Sequence, residues 1–406
     1  KSETSFGFEV DMLVEAQASA DCDRELVIDP GVYWSSFIDG NLADWVLDMA
    51  FMDDERFVFA GRTETKNGFP VTPGVFPWSD GGSGVEGFVV GVHVPTGLPL
   101  FSLLVGGNGY DSVIELEIDP TTKNLILVLA TDSTDLPVDA ASEPWVIGAA
   151  PVMRLDISTP AVVYSKLIPG PASSTGIVDL VVGSGGDLYV TGLAYTQATP
   201  YHATAGSLSE VPLVAVPESP GSTNVITPYA SRIDGLTGRV KWRTFVDGPV
   251  EFLAISEAGE LVFGGKAWVN HHATSLGAVQ VSPQAASIDL SAFVQKLSSD
   301  GKKVEAATYF DTRAGIYLQG VGVRSGGEVF LAGNAIAGAF PATPSAFSTT
   351  FEGARKGFVL RMSANLTAIE KATLFGDPGH PTGGGFFTFD VDASGVVTLG
   401  GAFPTP

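Results

Sequence analysis

The chain has 406 residues with 45 acidic and 22 basic side chains, which give a formal net charge of −23 at pH 7. This charge is repelled by nucleic acid and by anionic membrane surfaces, so nucleic acid is excluded as a partner and cations or basic proteins are favoured. The single cysteine excludes an internal disulfide framework, and the sequence has no uninterrupted apolar stretch of the length a membrane-spanning helix needs.

A pair of short apolar strands joined by a tight turn recurs six times along the chain. The second strand of each pair ends near Gly61, Leu129, Gly192, Gly265, Gly333 and Gly401, at spacings of 68, 63, 73, 68 and 68 residues. In both strands apolar residues alternate with polar ones at every second position, and this pattern predicts a β-hairpin. A second such pair follows each of the first five copies, starting at Gly87, Ala150, Pro228, Ser291 and Lys356. Each repeat therefore supplies four antiparallel strands, and the sequence predicts an all-β, six-bladed β-propeller.

The two ends of the chain each carry half of a repeat. Residues 386–403 contain only a first hairpin, whereas residues 24–38 have the form of a second hairpin with no first hairpin before them. We expect these two segments to form the sixth blade together, because this closes the ring and pairs strand edges that would otherwise be exposed. The prediction is thus a single propeller over residues 24–406, with residues 1–23 as an N-terminal extension or an extra strand.

Several segments of the repeats resemble the bacterial β-propeller repeats known as SBBP repeats. The matching segments are GRTETKNGFPVTPGVF (Gly61 to Phe76), LYVTG (Leu188 to Gly192), SAFVQKL (Ser291 to Leu297), FPATPSAF (Phe340 to Phe347), FPTP (Phe403 to Pro406) and the leader LVIDP (Leu26 to Pro30). The resemblance covers Leu26 to the end of the chain. It implies a surface or secreted propeller and supplies no catalytic residues. The third and fourth copies lack the FPxTP segment and the second has LPVD at Leu136 to Asp139, so seven blades are the alternative to six.

Acidic residues gather on one face of the predicted innermost strands. Aligning the six copies places apolar residues on one face, which we expect to fill the space between blades. The other face carries Asp48, Glu115, Glu117, Asp179 and Asp390 and is expected to line a central channel. Carboxylates near one axis repel one another unless they are hydrated, protonated or bound to a cation. One hypothesis is a channel site for a hard cation such as Ca²⁺; the alternative is a water-filled channel whose carboxylates hydrogen-bond to neighbouring backbone.

The sequence favours a non-enzymatic role. It contains no GxSxG elbow, HExxH helix or phosphate-binding loop, and His202, His271 and His272 lie in long connections where exposed histidines are expected. Inserts at residues 194–227 and 266–290 enlarge the loops on which binding usually resides. We expect an extracellular or cell-surface bacterial module that binds protein or glycan, or is part of a larger assembly, without membrane insertion. The alternative is a lyase or glycosidase that uses paired channel carboxylates.

Overall fold

The computed structural model is all-β. It describes residues 38, 40–65, 68–73, 84–136, 150–159, 161–168, 177–195, 203–213, 216–217, 225–267, 272–285, 287, 290–336, 340–344, 346, 348–349, 355–375, 385–391 and 395–402. These residues form 23 strands in six antiparallel sheets, which we call blades 1 to 6 in chain order. No helix among them is both long and apolar enough to cross a membrane. The predicted all-β propeller class is confirmed.

Five of the sheets have the predicted four-strand order. Blade 1 contains β1 (Asp44–Asp53), β2 (Arg56–Thr63), β3 (Glu86–His93) and β4 (Leu98–Val105). Blade 2 contains β5 (Asp111–Ile118), β6 (Leu125–Thr131), β7 (Ala150–Asp156) and β8 (Ala161–Ile168). Blade 3 contains β9 (Ile177–Val182), β10 (Leu188–Tyr195), β12 (Val225–Ile233) and β13 (Val240–Phe245), with the short β11 (Val216–Pro217) paired to the start of β12.

The remaining blades follow the same order. Blade 4 contains β14 (Phe252–Ile255), β15 (Leu261–Lys266), β16 (Ala292–Leu297) and β17 (Val304–Phe310). Blade 5 contains β18 (Ile316–Val323), β19 (Val329–Ile336), β20 (Arg355–Met362) and β21 (Ile369–Phe375). In blade 6 the described strands are β22 (Gly385–Val391) and β23 (Val397–Ala402).

A β-bulge lies at the same place on the first strand of five blades. One residue of that strand is skipped in the pairing with the second strand; the skipped residues are Leu47, Ile114, Val178, Gln319 and Phe387. The residue after the bulge is Asp48, Glu115, Asp179, Gly320 or Thr388, each at the same register position. The sequence alignment of the inner strands is therefore confirmed, because a one-residue slip would have moved every side chain to the other face.

Both faces of the inner strands pack between blades. Leu116 and Ile118 of blade 2 are buried in a cluster that includes Ala50 and Met52 of blade 1. The same arrangement places Val181 of blade 3 against a cluster that includes Leu253 and Phe263 of blade 4. The expected division into an inter-blade face and a channel face is thus wrong for these positions, because the second face contacts the following blade.

A basic side chain near the end of the third strand joins one blade to the next in three places. It donates to a backbone carbonyl in the turn between the third and fourth strands of the following blade, and we call this contact the inter-blade staple. The staples are Arg154 to Gly235 O (2.6 Å), Arg232 to Ser299 O (3.4 Å) and Lys296 to Ala364 O (3.4 Å). Each cation also pairs with an acid from the first hairpin turn of its own blade: Asp119, Asp187 and Glu260, respectively.

An aromatic side chain on the fourth strand lies against a glycine of the next blade. A Cβ atom on Gly301 would come within 2.6 Å of the Trp242 ring, and one on Gly238 within 3.2 Å of the Tyr164 ring. Both glycines have positive φ, +70° and +66°. Trp242 Nε1 also donates to Ser299 O at 3.0 Å. Glycine is required in these turns for its backbone conformation and for the close approach of the ring.

The outer edges of four blades are covered by their own connection between the second and third strands. A hydroxyl residue of that connection donates its backbone N–H to the carbonyl of an edge residue and accepts the edge residue's N–H on its hydroxyl. The pairs are Thr72 with Ser102, Thr204 with Arg243, Ser275 with Ala307 and Thr343 with Ala372. This contact, which we call the edge clamp, blocks the pairing with other chains that an open strand edge invites.

Removing one hydroxyl of the edge clamp is expected to destabilise the fold measurably. Thr343→Val keeps the side-chain shape but leaves the N–H of Ala372, now 3.2 Å from Thr343 Oγ1, without that acceptor. The expected loss in free energy of unfolding is about 1–2 kcal/mol, measured by urea unfolding. Thr349→Val, at an exposed position of the same connection, is the matched control with an expected loss under about 0.5 kcal/mol. Equal losses in the two variants would contradict a role for the clamp.

The predicted make-up of blade 6 is described only in part. The hairpin of β22 and β23 confirms a first hairpin near the end of the chain. The predicted strands at residues 24–37 and the extension at residues 1–23 lie outside the described residues. The joining of the two ends in one blade therefore stays a prediction.

Candidate functional site

The five acidic residues of the predicted channel site lie on inner strands of four blades. Asp48 is on β1, Glu115 and Glu117 on β5, Asp179 on β9 and Asp390 on β22. The first four side chains are half-buried and Asp390 is exposed. Negative charge on Asp48 and Asp179 acts on both glutamates, and Asp390 acts on Glu117. The structure thus brings together the residues that the sequence alignment grouped.

Two of the aspartates bind the backbone of the following blade. Asp48 Oδ2 accepts a hydrogen bond from the N–H of Leu116 at 2.7 Å, and Asp179 Oδ2 accepts one from the N–H of Leu253 at 2.6 Å. The other oxygen of each carboxylate accepts from the residue next to it in its own strand. Asp390 Oδ1 makes the same local contact with Val391 at 2.8 Å. The carboxylates of Asp48 and Asp179 therefore connect inner strands of neighbouring blades.

Burial and neighbouring negative charge raise the pKa values of the two glutamates. Burial, followed by repulsion from Asp179, Asp48 and Glu117, raises the pKa of Glu115 to about 9. Burial and repulsion from Asp48 and Asp179 raise the pKa of Glu117 to about 8, despite a backbone hydrogen bond that opposes the shift. Burial also raises the pKa of Asp179 to about 7 and, more weakly, that of Asp48, because hydrogen bonds from Leu253 and Leu116 offset part of the cost. The protein relieves the crowding of charge by protonation.

The cation hypothesis stays a prediction. No group of three or more His, Cys, Asp or Glu side chains within the described ranges has an arrangement that could hold a metal ion. The hypothesis predicts that millimolar Ca²⁺ at pH 8 raises the free energy of unfolding by about 1–2 kcal/mol and that Glu115→Gln with Glu117→Gln abolishes the gain. Thermal unfolding with and without Ca²⁺ measures this. An unchanged wild-type midpoint would exclude a calcium site there.

His272 is a buried residue, so the expectation of an exposed loop histidine was wrong. Its Nδ1 lies 2.8 Å from Asp247 Oδ1, its ring stacks on Phe293 with centroids 4.5 Å apart, and its backbone N–H donates to the Tyr309 hydroxyl at 2.8 Å. The side chain fixes the start of the second insert to blade 4. His202 and His271 lie outside the described residues.

The two long inserts combine anchored backbone with exposed apolar side chains. In the first insert, the N–H of Leu208 donates to Gly301 O of blade 4 at 2.9 Å. In the second, the N–H of Val279 donates to Leu366 O of blade 5 at 3.1 Å. The exposed aliphatic residues of the inserts are Val211, Leu213, Leu276 and Val281. Each insert thus crosses to the neighbouring blade and presents aliphatic groups to solvent.

Comparisons with solved structures find matches of low sequence identity. No family model and no curated protein matches the chain. The Dos1 propeller structure is 12% identical with a TM-score of 0.44, over 88% of this chain and 64% of that one. A duf4221 family member from Bacteroides vulgatus is 10% identical with a TM-score of 0.38, over 89% and 86%. The Pan2 WD40 domain of Neurospora crassa is 11% identical with a TM-score of 0.36, over 87% and 85%. This chain spans less than two thirds of the Dos1 propeller chain, and no binding or activity is carried over from these proteins.

Proposed function

We propose that this chain is a non-enzymatic, extracellular or cell-surface β-propeller module of a bacterial assembly that binds a protein or glycan partner through the inserts of blades 3 and 4. The observation that carries the proposal is the pair of inserts, each hydrogen-bonded to the next blade and each displaying exposed aliphatic side chains. Loops held on a rigid scaffold are favourable binding surfaces because little order must be gained on binding.

The hydrogen bonds of Asp48 and Asp179 give these two carboxylates a structural role. Asp48 and Asp179 each use both carboxylate oxygens in hydrogen bonds to backbone, so their contacts hold strands together. The net charge of −23 favours a partner with a basic surface and increases its rate of association at low salt. The resemblance to SBBP repeats agrees with an extracellular site.

Paired insert variants test the proposal. Leu276→Ser with Val281→Ser changes the second insert, and Val211→Ser with Leu213→Ser changes the first. Leu98→Ser with Leu100→Ser, exposed on the outer strand of blade 1, is the matched control. We expect the wild-type chain to retain a stoichiometric protein from the bacterial surface fraction, or a defined glycan on an array. Both insert variants should lose at least about tenfold in affinity and the control less than about twofold.

Two results would count against this function. Equal binding by the insert variants and the wild-type chain would remove the inserts from the binding surface. Equal loss in the control and the insert variants would indicate nonspecific apolar adhesion. Unfolding measured on every variant separates lost binding from lost folding. Because all of these positions are exposed, the free energy of unfolding should change by less than about 0.5 kcal/mol.

A second candidate is acid–base catalysis at the inner carboxylates. In its favour, burial and neighbouring carboxylates raise the pKa values of Glu115 and Glu117, which is the direction a general acid requires. A screen of glycoside and polyuronate substrates tests it. Turnover that disappears in Glu115→Gln, while the folded state persists, would establish this role and overturn the non-enzymatic proposal. Turnover unaffected by Glu115→Gln and Glu117→Gln would come from another source.

A further inference from the structure

Three side chains form a stack where blade 1 meets blade 2. Arg62, at the end of β2, lies over the Trp45 ring of β1 with its Cζ atom 4.4 Å from the ring centroid. Its Nη1 donates to the Tyr110 hydroxyl at 2.6 Å, and Tyr110 belongs to the connection between β4 and β5. The cation–π contact and the hydrogen bond hold the guanidinium in one place. We call Trp45, Arg62 and Tyr110 the arginine stack.

Arg62 has no acidic partner in the described part of the chain. Its Nε is buried and makes no hydrogen bond there, and its Nη1 binds the neutral hydroxyl of Tyr110. In contrast, the staple residues Arg154 and Arg232 each pair with a carboxylate. The arginine stack is thus a site of local positive charge on a protein with a formal net charge of −23.

The polar groups that the arginine stack offers to a ligand are donors. The Tyr110 oxygen accepts from Arg62, so its own O–H remains available. Nε is the one nitrogen of Arg62 that is both buried and without a described partner, so Nη2, which also has none, is open to solvent. A guanidinium cannot accept a hydrogen bond. Two neighbouring donors, one of them charged, fit the two oxygens of a carboxylate.

The connection that carries Tyr110 is fixed to blade 2. Gly109 N–H donates to Ser133 Oγ at 2.7 Å, just after β6. Tyr110 N–H donates to a carboxylate oxygen of Asp132, and Asp132 N–H donates to the Tyr110 carbonyl at 3.1 Å. The phenol is therefore in position before a ligand arrives, which lowers the entropic cost of binding.

The Trp45 ring supplies an apolar surface beside these donors. Trp45 is 37% exposed and pairs directly with Arg62 across β1 and β2, so the ring and the guanidinium lie on the same face of the sheet. A carboxylate attached to a ring with a C–H face matches both parts of the site. A phosphate monoester carries nearly two negative charges and is repelled more strongly by the net charge of the chain.

We propose that the arginine stack binds the carboxylate of an acidic sugar, a hexuronate residue of a glycan. Arg62 Nη2 and the Tyr110 hydroxyl donate to the two carboxylate oxygens, and Trp45 contacts the C–H face of the sugar ring. The site uses no residue of the inserts of blades 3 and 4, so it stands or falls separately from the function proposed above.

Isothermal titration calorimetry of the full chain with trigalacturonate at pH 6 and low salt tests this site. The neutral methyl ester of the same trisaccharide should bind at least about tenfold more weakly, because it lacks the charge. Arg62→Met should weaken binding of the acid by a similar factor, and Tyr110→Phe, which removes one donor, by about threefold or more. Arg355→Met is the matched control and should change affinity less than about twofold. Arg355 lies 5.0 Å from the centroid of Tyr317, a ring that is also 37% exposed.

The remaining arms separate the possible outcomes. Leu276→Ser with Val281→Ser should bind the trisaccharide as the wild-type chain does, and a loss there would place the sugar on the inserts and overturn the proposal. No binding by the wild-type chain, equal affinity for the acid and its ester, or equal affinity of Arg62→Met and wild type would also overturn it. Hexanoate or inorganic phosphate that binds as tightly as trigalacturonate would exclude recognition of the sugar. If Arg62→Met does not fold, Tyr110→Phe and the ester comparison decide the outcome.

Discussion

Replacing Arg154 with methionine is expected to lower the free energy of unfolding by about 3–5 kcal/mol, the largest effect of any single substitution considered for this chain. The guanidinium is buried between blades 2 and 3, where it pairs with the buried carboxylate of Asp119. It also donates to Gly235 O at 2.6 Å and to Thr122 Oγ1 at 2.8 Å. The substitution leaves Asp119 charged and buried, with the N–H groups of Thr121 and Thr122 as its remaining donors.

Arg232→Met is the matched control for this staple. Arg232 holds the same position in blade 3, but its side chain is partly exposed and Lys241 also binds Asp187 at 2.7 Å. The expected loss is therefore about 1 kcal/mol. Guanidinium chloride unfolding at pH 6 measures both variants.

Arg154→Met with Asp119→Leu should recover part of the loss, because no charge is then buried alone. Equal losses for Arg154→Met and Arg232→Met would show that burial of the ion pair does not determine its contribution to the free energy of unfolding.

The stability of the fold is expected to fall as pH rises from about 4.5 to about 9. Glu115, Glu117 and Asp179 have folded-state pKa values raised to about 9, 8 and 7, whereas the unfolded chain releases these protons near pH 4. Within this window the folded state binds more protons than the unfolded state, so the free energy of unfolding decreases with pH. The combined loss is expected to be about 2–4 kcal/mol, because solvent and mutual relief of repulsion reduce each shift.

Below about pH 4 the free energy of unfolding is expected to change in the opposite direction and to fall as the pH falls. Hydrogen bonds from Ser158 and Thr159 lower the pKa of Asp156 to about 2, and hydrogen bonds from Thr237 do the same for Asp234. Their contribution is present above about pH 4 and is lost as pH falls towards 2. Maximum stability is therefore expected near about pH 4 to 5, which can be read from unfolding midpoints across a pH series.

Glu115→Gln tests whether ionisation of Glu115 causes the fall in the free energy of unfolding above about pH 5. An amide cannot ionise, so the variant should lose much of the decline above pH 5 and be more stable than the wild-type chain at pH 8. Glu257→Gln, in the exposed turn between β14 and β15, is the control and should leave the profile unchanged. A wild-type profile that is flat from pH 5 to 9, or a Glu115→Gln profile parallel to it, would show that the inner carboxyls ionise without cost in the folded state.

The hairpins and their alignment could be predicted from the sequence because the apolar alternation has a fixed period. Leu116 and Leu253 lie at equivalent positions on the core face of blades 2 and 4, and a one-residue shift of register would expose them. The same alternation brought Asp48, Glu115 and Asp179 into equivalent positions. The fold and the grouping of the acidic residues therefore follow from local pattern.

The contacts between blades could not be predicted in the same way. Arg154 reaches a carbonyl 81 residues along the chain, and a backbone carbonyl has no signature in the sequence. Asp48 contacts the backbone of Leu116, so its role depends on how two sheets meet. Thr204 and Ser275 make the edge clamp without the FPxTP segment, because the contact needs only a hydroxyl and a free N–H. His272 is buried because Asp247 and Phe293 approach it from other elements.

We infer that staples, inner carboxylates and docked aromatic rings join the blades into one cooperative unit. Denaturant unfolding followed at the same time by tryptophan fluorescence and far-ultraviolet circular dichroism tests it most directly. We expect one transition with coincident midpoints, and a shift of the whole transition in Arg154→Met. Two separable transitions, with Arg154→Met moving only one of them, would contradict it.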